Sequence, residues 1–413
     1  MSSSNKYALS MRWIITSLFL LRAVQYLILY VTPAQFDTST TILINEYITP
    51  ESRIIYPTWM QKVLQGCMSW DAVYILKLSM SGILFEHEWV FAPLWWRFMQ
   101  CCRTFVEMYT GYEMNLYDVT LTFVLLNNLI TVAIAVTLYK ICIIVAEKDF
   151  KMMSGVNPSK FAYYASILVI IQPSGIFSAT VYSEPPSQLL CYLGILIYLR
   201  ARSTTQIISW PGYLASGVLF AIAFGIRSNC IFYGLLYIYD IIAVLRKPTD
   251  VLCALMTGGI LFAALVTATY AAWVEYCPQR GEWCLHGTRS LVSYAQSHYW
   301  NVGLFNYFTM GNVPLFIMGA PQFVILIMAL NRFRTWKSLR GVWIVTFVYI
   351  IVQFSVMHVQ IINRVCTFVP FHLMYVALGL CRDTVGMETW IVRYWIFWII
   401  LQTALFSAFL PPA

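Results

Sequence analysis

Apolar residues run in long blocks along this chain, separated by short polar connectors, and the blocks predict the architecture. About eleven of them read as membrane-spanning helices: 13–31, 118–146, 161–181, 186–199, 211–226, 230–245, 251–274, 313–330, 341–357, 365–381 and 391–409. Several are near 20 residues with almost no charge, enough for a helix to cross a hydrocarbon core of about 30 Å. The pattern predicts an all-α polytopic membrane protein, a single integrated domain over 1–413 without internal repeats.

The connectors alternate in chemistry. Lys6 and Arg12, then Lys148, Lys151 and Lys160, Arg200 and Arg202, Arg246 and Lys247, the run from Arg332 to Arg340, and Arg382 mark short basic connectors. The positive-inside rule makes these cytoplasmic. The others are then lumenal or extracellular: 32–117, the turns near Glu184 and Arg227, 275–312, and the turn from His358 to Arg364. A structureless loop of about 85 residues is uncommon. The stretch 32–117 is therefore expected to carry short helices on the membrane surface, with aromatics at headgroup level.

Composition supports this picture. Of 413 residues, 60% are hydrophobic and 11% charged, where soluble domains carry about 25% charged residues. The net charge of +8 does not point to nucleic acid, because the basic residues are scattered between apolar runs as topology signals. The first apolar run is long for a signal peptide and lacks a small-x-small cleavage site, so it reads as a retained anchor. Eleven cysteines without a C-x-x-C pair argue against a zinc site, and most lie in apolar runs as small core residues.

Ionisable and aromatic residues concentrate on the non-cytoplasmic side. Asp71, after Trp70, opens a helix near 72–80; it serves either as an N-cap or as a carboxylate that takes a proton from a hydroxyl or binds a cation. Glu86, His87 and Glu88 are adjacent, so they cannot all face one metal ion. Hydrogen-bonding a polar substrate or bracing Asp71 suits them better. In 172–186, Pro173 and Gly175 break an apolar run that ends at Glu184. This is either a kinked span end or irregular backbone lining a buried or wet cavity.

Arg227 and Arg364 both end apolar runs on the same side. Each either snorkels to the interface or, since a guanidinium forks onto phosphate, binds an anionic ligand. Within 275–312, Cys277 and Cys284 are a candidate disulfide in an oxidising compartment. Gln296, His298, Tyr299, Trp300 and Asn301 combine aromatic platforms with hydrogen-bonding tips, as a sugar site or an interfacial belt would. The sum suits a lipid-linked phosphate and a polyhydroxylated acceptor. A transporter suits it less, for lack of paired repeats with interrupted spans.

Several short stretches recur in one order: Trp70-Asp71-Ala72, Glu86-His87 with Phe91-Ala92-Pro93, Pro173-Ser174, Tyr182-Ser183-Glu184 and Gly225-Ile226-Arg227-Ser228-Asn229. Trp283-Cys284, Tyr294-Ala295-Gln296, Tyr299-Trp300-Asn301-Val302-Gly303, Val313-Pro314, Ala320-Pro321 and His358-Val359-Gln360 with Arg364 follow. In these the chain resembles the GPI mannosyltransferase 2 family. The resemblance implies a GT-C type fold in the endoplasmic reticulum membrane, with its site facing the lumen. It implies dolichyl-phosphate-mannose as donor, a mono-mannosylated GPI lipid precursor as acceptor, an α-1,6 bond and a small accessory membrane subunit. No cofactor or metal is expected beyond the donor lipid.

The resemblance makes Asp71 the candidate catalytic base. It makes Trp70, Glu86, His87, Tyr182, Glu184, Arg227, Trp300, Asn301, Gln360 and Arg364 candidate substrate-binding residues. Alternatives remain a transferase of the same fold with a different acceptor, or a glycolipid transporter without chemistry. The chain departs from the pattern at Tyr74, where histidine is expected, at Pro185-Pro186, and at Val365-Cys366-Thr367 after Arg364.

Overall fold

Proline and asparagine decide where many of the helices begin. Prolines sit in the first turn of Pro158–Leu168, Glu184–Ala201, Trp210–Ile226, Pro248–Tyr276 and Val313–Phe333. There the missing N–H is one that no helix would have used. The pair Pro185-Pro186 therefore falls in the first turn of the helix that Glu184 opens. Asn115 caps Leu116–Lys148 by accepting from the amides of Tyr117 and Asp118, and Asp118 returns a bond to the Asn115 amide at 2.9 Å.

The computed structural model describes residues 10–49, 55–91, 93–153, 155–277, 281–285, 290–382 and 386–412. Lys6 and Ala92 lie outside them. Of the described residues 78% are helical and none lies in a strand, in agreement with the all-α class. Met11–Val31, Leu116–Lys148, Pro248–Tyr276, Met310–Phe333 and Met387–Ser407 are long and apolar enough to cross a membrane. Val359–Phe368 and Phe371–Leu380, bent by 80°, make a sixth crossing if they form one broken span. Trp210–Ile226, Ser228–Ala243 and Arg340–Ser355 are apolar but shorter.

Two of the predicted blocks are not continuous helices. The block 365–381 breaks at extended Val369, because Pro370 disfavours a helical residue before it. The block 161–181 is helical only to Leu168, and then passes through turns and one 3-10 turn, Gly175–Ser178. Pro173 and a left-handed Gly175 (φ +42°) interrupt it.

Residues 172–183 are fully enclosed, so their backbone groups need partners from the protein. Side chains from four helices supply them. Arg22 donates to the Ser178 carbonyl and Tyr26 to that of Ala179, each at 3.0 Å. Asn127 donates to Thr180 at 2.6 Å and Tyr182 at 2.9 Å, and Trp95 to Val181 at 2.8 Å. Trp398 and Gln402 both donate to the Pro173 carbonyl, and the side-chain Oε1 of Gln402 accepts from the Ile176 amide. An irregular segment is thereby fixed as firmly as a helix.

The long first loop folds into short helices, Ser39–Tyr47, Thr58–Gly66, Asp71–Ser81 and Pro93–Thr110, with a 3-10 turn at Glu86–Val90. Pro93–Thr110 buries Trp95, Trp96 and Met99 and leaves Phe98, Phe105, Met108 and Tyr109 exposed. That two-faced character is what a helix lying on a membrane needs. The loop helices share a core with the start of Leu116–Lys148 and with Ile176–Tyr182. A larger core joins the remaining spans.

Candidate active site

The first loop, the irregular segment and two span ends meet around four charged side chains. Asp71 is the first residue of its helix, and Trp70 holds the cap position with φ 59° and ψ −132°. A left-handed φ on so bulky a residue costs about 1–3 kcal/mol and clusters at functional sites. Trp70 is held by stacking on Phe409 at 5.3 Å. Of the two readings of Asp71, the cap does not apply. Its Oδ2 accepts from Arg364 Nη1 at 2.7 Å.

Arg364 projects from the short turn Ile362–Val365. Its guanidinium lies over the rings of Phe177 at 5.1 Å and Tyr182 at 5.7 Å, where cation–π attraction fixes its plane. Tyr182 in turn donates to the Ser69 carbonyl at 3.1 Å, tying this ring to the turn before Asp71. Arg364 Nε stands 3.8 Å from Glu184 Oε1. The same oxygen accepts from Arg227 Nη1 at 2.7 Å, and Arg227 also reaches Ser183 Oγ at 3.2 Å.

The result is an alternating chain, Asp71, Arg364, Glu184, Arg227, with two charges of each sign. Glu184 is 1% exposed and Asp71 33%, so Asp71 is the carboxylate a ligand can meet. Glu184 Oε2 and the Nε atoms of Arg227 and Arg364 are buried without hydrogen-bond partners.

An aromatic wall adjoins this network. Tyr74, one turn after Asp71 on the same helix face, stacks on Phe91 at 4.5 Å, and Phe91 meets Trp300 edge-on at 5.7 Å. His87 lies among Phe85, Tyr74 and Tyr299 at 5.8, 6.1 and 5.2 Å. Tyr299 donates to Glu86 Oε1 at 3.1 Å. The loop 275–312 is thus folded over the first loop.

Trp300 presents its carbonyl to His358 Nε2 at 2.8 Å. Asn301, with φ 53°, ends the helix Leu291–Trp300 in the left-handed cap that asparagine tolerates. Gln360 has a buried, unpartnered Oε1. Cys277 and Cys284 are joined in a disulfide packed with Trp89, Tyr276 and Trp283.

The Glu86-His87-Glu88 triplet divides. Glu86 and His87 face the aromatic wall, but Glu88 turns inward to Lys77 at 2.7 Å and accepts from the Leu84 and Phe85 amides. Glu88 therefore builds the turn. Its carboxyl is held below the usual range. Burial alone would raise it, and the Lys77 ammonium with the two amides outweighs that. Among the described residues no three His, Cys, Asp or Glu side chains group as metal ligands.

Ser183 and Phe177 touch the arginines and are not among the candidate site residues read from sequence. Ser183 had a usable signal in its place beside Glu184, while Phe177 is one apolar residue among many.

The profile of the family described as Mannosyltransferase (PIG-V) matches residues 11–341 and 333–413. The chain is 35% identical to GPI mannosyltransferase 2 of Saccharomyces cerevisiae, over 95% of this chain and 98% of that protein. It is 31% identical to GPI mannosyltransferase 2 of Candida albicans, covering 98% and 100% of the two chains. The Candida glabrata protein of that name is 34% identical over 95% and 97%. A network of carboxylates and arginines beside an aromatic wall, in a chain matched along nearly its whole length, leads to one assignment: this protein belongs to the mannosyltransferase (PIG-V) family of membrane glycosyltransferases.

Proposed function

We propose that this chain transfers the second mannose, in α-1,6 linkage, from dolichyl-phosphate-mannose to the mono-mannosylated GPI lipid precursor. The reaction takes place on the lumenal face of the endoplasmic reticulum membrane, alongside a small accessory membrane subunit. The names of the relatives support the acceptor. The observation that carries the mechanism is the partly open carboxylate of Asp71 tied to Arg364 in a network with two half-buried guanidinium groups.

The donor sugar is β-linked to phosphate and the product is α, so one displacement with inversion suffices. The acceptor 6-hydroxyl oxygen attacks the anomeric carbon as the bond to the phosphate oxygen breaks. The hydroxyl proton passes to Asp71, whose Oδ1 is left free by the Oδ2 bond to Arg364. The electron pair leaves with dolichyl phosphate, and the spare N–H donors of Arg227 and Arg364 meet its charge. Trp300, Tyr299 and the rings around His87 offer faces for the acceptor sugars, with Glu86, Asn301 and Gln360 as hydrogen-bonding tips. The reaction as written uses no cofactor beyond the donor lipid.

The test is transfer of labelled mannose from dolichyl-phosphate-mannose to the mono-mannosylated precursor in membranes that lack the native enzyme. The chain is compared with Asp71→Asn at matched abundance. General-base catalysis contributes about 10²–10⁴-fold, so Asp71→Asn is expected to lose at least 100-fold. Full activity in Asp71→Asn overturns the base. Absence of product from the wild-type chain with its subunit present overturns the acceptor, and binding without turnover then favours a transporter.

A further inference from the structure

A second site lies at the other end of the molecule. Asn363, next to Arg364, donates to the Met318 carbonyl at 3.1 Å. From residue 318 the helix Val313–Phe333 continues for about 21 Å to Arg332. There it meets Phe371–Leu380 and Met387–Ser407 around a cavity of about 230 Å³ lined by Asn331, Arg332, Tyr375, Gly379, Arg382 and Glu388.

The arginines here differ from those of the candidate active site. Arg202, Arg227 and Arg364 each have a carboxylate partner. Arg332 and Arg382 line the same cavity. Among the described residues neither has an ion pair. Two arginines and a tyrosine on one cavity supply the kind of donors a phosphate takes. Glu388 adds one carboxylate to the same wall, so the site has a place for a cation as well as an anion.

The surroundings indicate depth. Trp390, 63% exposed, carries Arg393 over its ring at 4.6 Å, and Met387 beside it is 50% exposed. Exposed tryptophan paired with arginine at a span end belongs at the headgroup level. A ligand reaching this cavity from the headgroup layer would itself be a lipid.

We propose that this cavity binds the headgroup of a membrane phospholipid that carries a primary ammonium. The phosphodiester rests on Arg332 and Arg382, and the ammonium on Glu388. The site is separate from the Asp71 network and would bind lipid of the opposite leaflet.

The full-length chain, purified in mild detergent, is titrated with dioctanoyl phosphatidylethanolamine, phosphatidylcholine, phosphatidylglycerol and free phosphoethanolamine. Adducts are counted by native mass spectrometry. Phosphatidylethanolamine is expected to bind at least tenfold more tightly than the other two lipids. The double variant Arg332→Gln/Arg382→Gln is expected to weaken it at least tenfold, and Arg382→Gln alone, at an exposed position, to weaken it in the same direction. Glu388→Gln should abolish the preference over phosphatidylglycerol while retaining binding.

An unchanged unfolding midpoint without lipid shows that the variants are folded, independently of any mannosyl transfer. Equal binding of all three lipids, or unchanged binding by the double variant, overturns the site. Competition by free phosphoethanolamine at the lipid's own concentration overturns the lipid and leaves a soluble phosphate ester.

Discussion

Arg364 is placed by three different interactions, and each constrains a different degree of freedom. The rings of Phe177 and Tyr182 set the plane of the guanidinium, Asp71 sets its reach, and Glu184 sets its charge environment. A lysine supplies the charge but neither the plane nor two donors aimed in different directions. Arg364→Lys is therefore expected to lower mannosyl transfer about 10–100-fold while the chain remains folded, with Arg364→Gln lower still. Initial rates at matched abundance decide it. A rate for Arg364→Lys equal to wild type would mean that the arginine serves only the fold. Asp71 and both arginines were readable from sequence because ionisable groups are scarce in apolar runs. The angle at which Trp70 delivers Asp71 was not, since a tryptophan with φ 59° carries no mark in its residue type.

The irregular segment 172–183 shows the same limit for whole elements. Pro173 and Gly175 announce a break through their own backbone chemistry, which is local. What fills the break is not local. Arg22 lies 156 positions from Ser178, Trp95 lies 86 from Val181, and Trp398 lies 225 from Pro173. No spacing rule connects such pairs, and Asn127 looks like a stray polar residue in an apolar helix until its two carbonyl partners are seen. Removing it strands both. Asn127→Leu is expected to destabilise the fold by roughly 2 kcal/mol or more, since an unsatisfied buried acceptor costs about 1–3 kcal/mol. The unfolding midpoint in detergent should fall, and transfer should fall with it because Glu184 begins where this segment ends.

The turn Glu86–Val90 gives a pH-dependent counterpart. Glu88 titrates below its usual range in the folded state, so its contribution is fully present above the unfolded value of about 4.3. It is lost as pH falls through the lower folded value. The unfolding midpoint of Glu88→Gln should lie below wild type at pH 7, and the two should converge on acidification below pH 4. Parallel curves at all pH values would show that the Lys77 pair contributes nothing.

Across the molecule the helix Val313–Phe333 serves as a ruler. Its early turns pack against the strand of contacts that positions Arg364, and its last turn carries Arg332 toward the basic connector ending at Arg340. Alternation of basic and aromatic connectors predicts the two ends on opposite sides of a membrane, and the helix is long and apolar enough to cross one. The lysine and arginine bias predicts that the Arg332 end faces the cytoplasm, and labelling checks it. In a background with the exposed Cys101 and neighbouring Cys102 replaced by serine, single cysteines are placed at the exposed positions Thr309 and Arg334. In sealed microsomes, whose outer face is cytoplasmic, an impermeant maleimide should label Arg334→Cys at once and Thr309→Cys only after permeabilisation. The reverse pattern would turn the Asp71 site to the cytoplasm. That would place the Cys277–Cys284 disulfide in a reducing compartment, where such bonds are rarely kept. The labelling thus tests whether the disulfide lies in a compartment that keeps it, with one pair of variants.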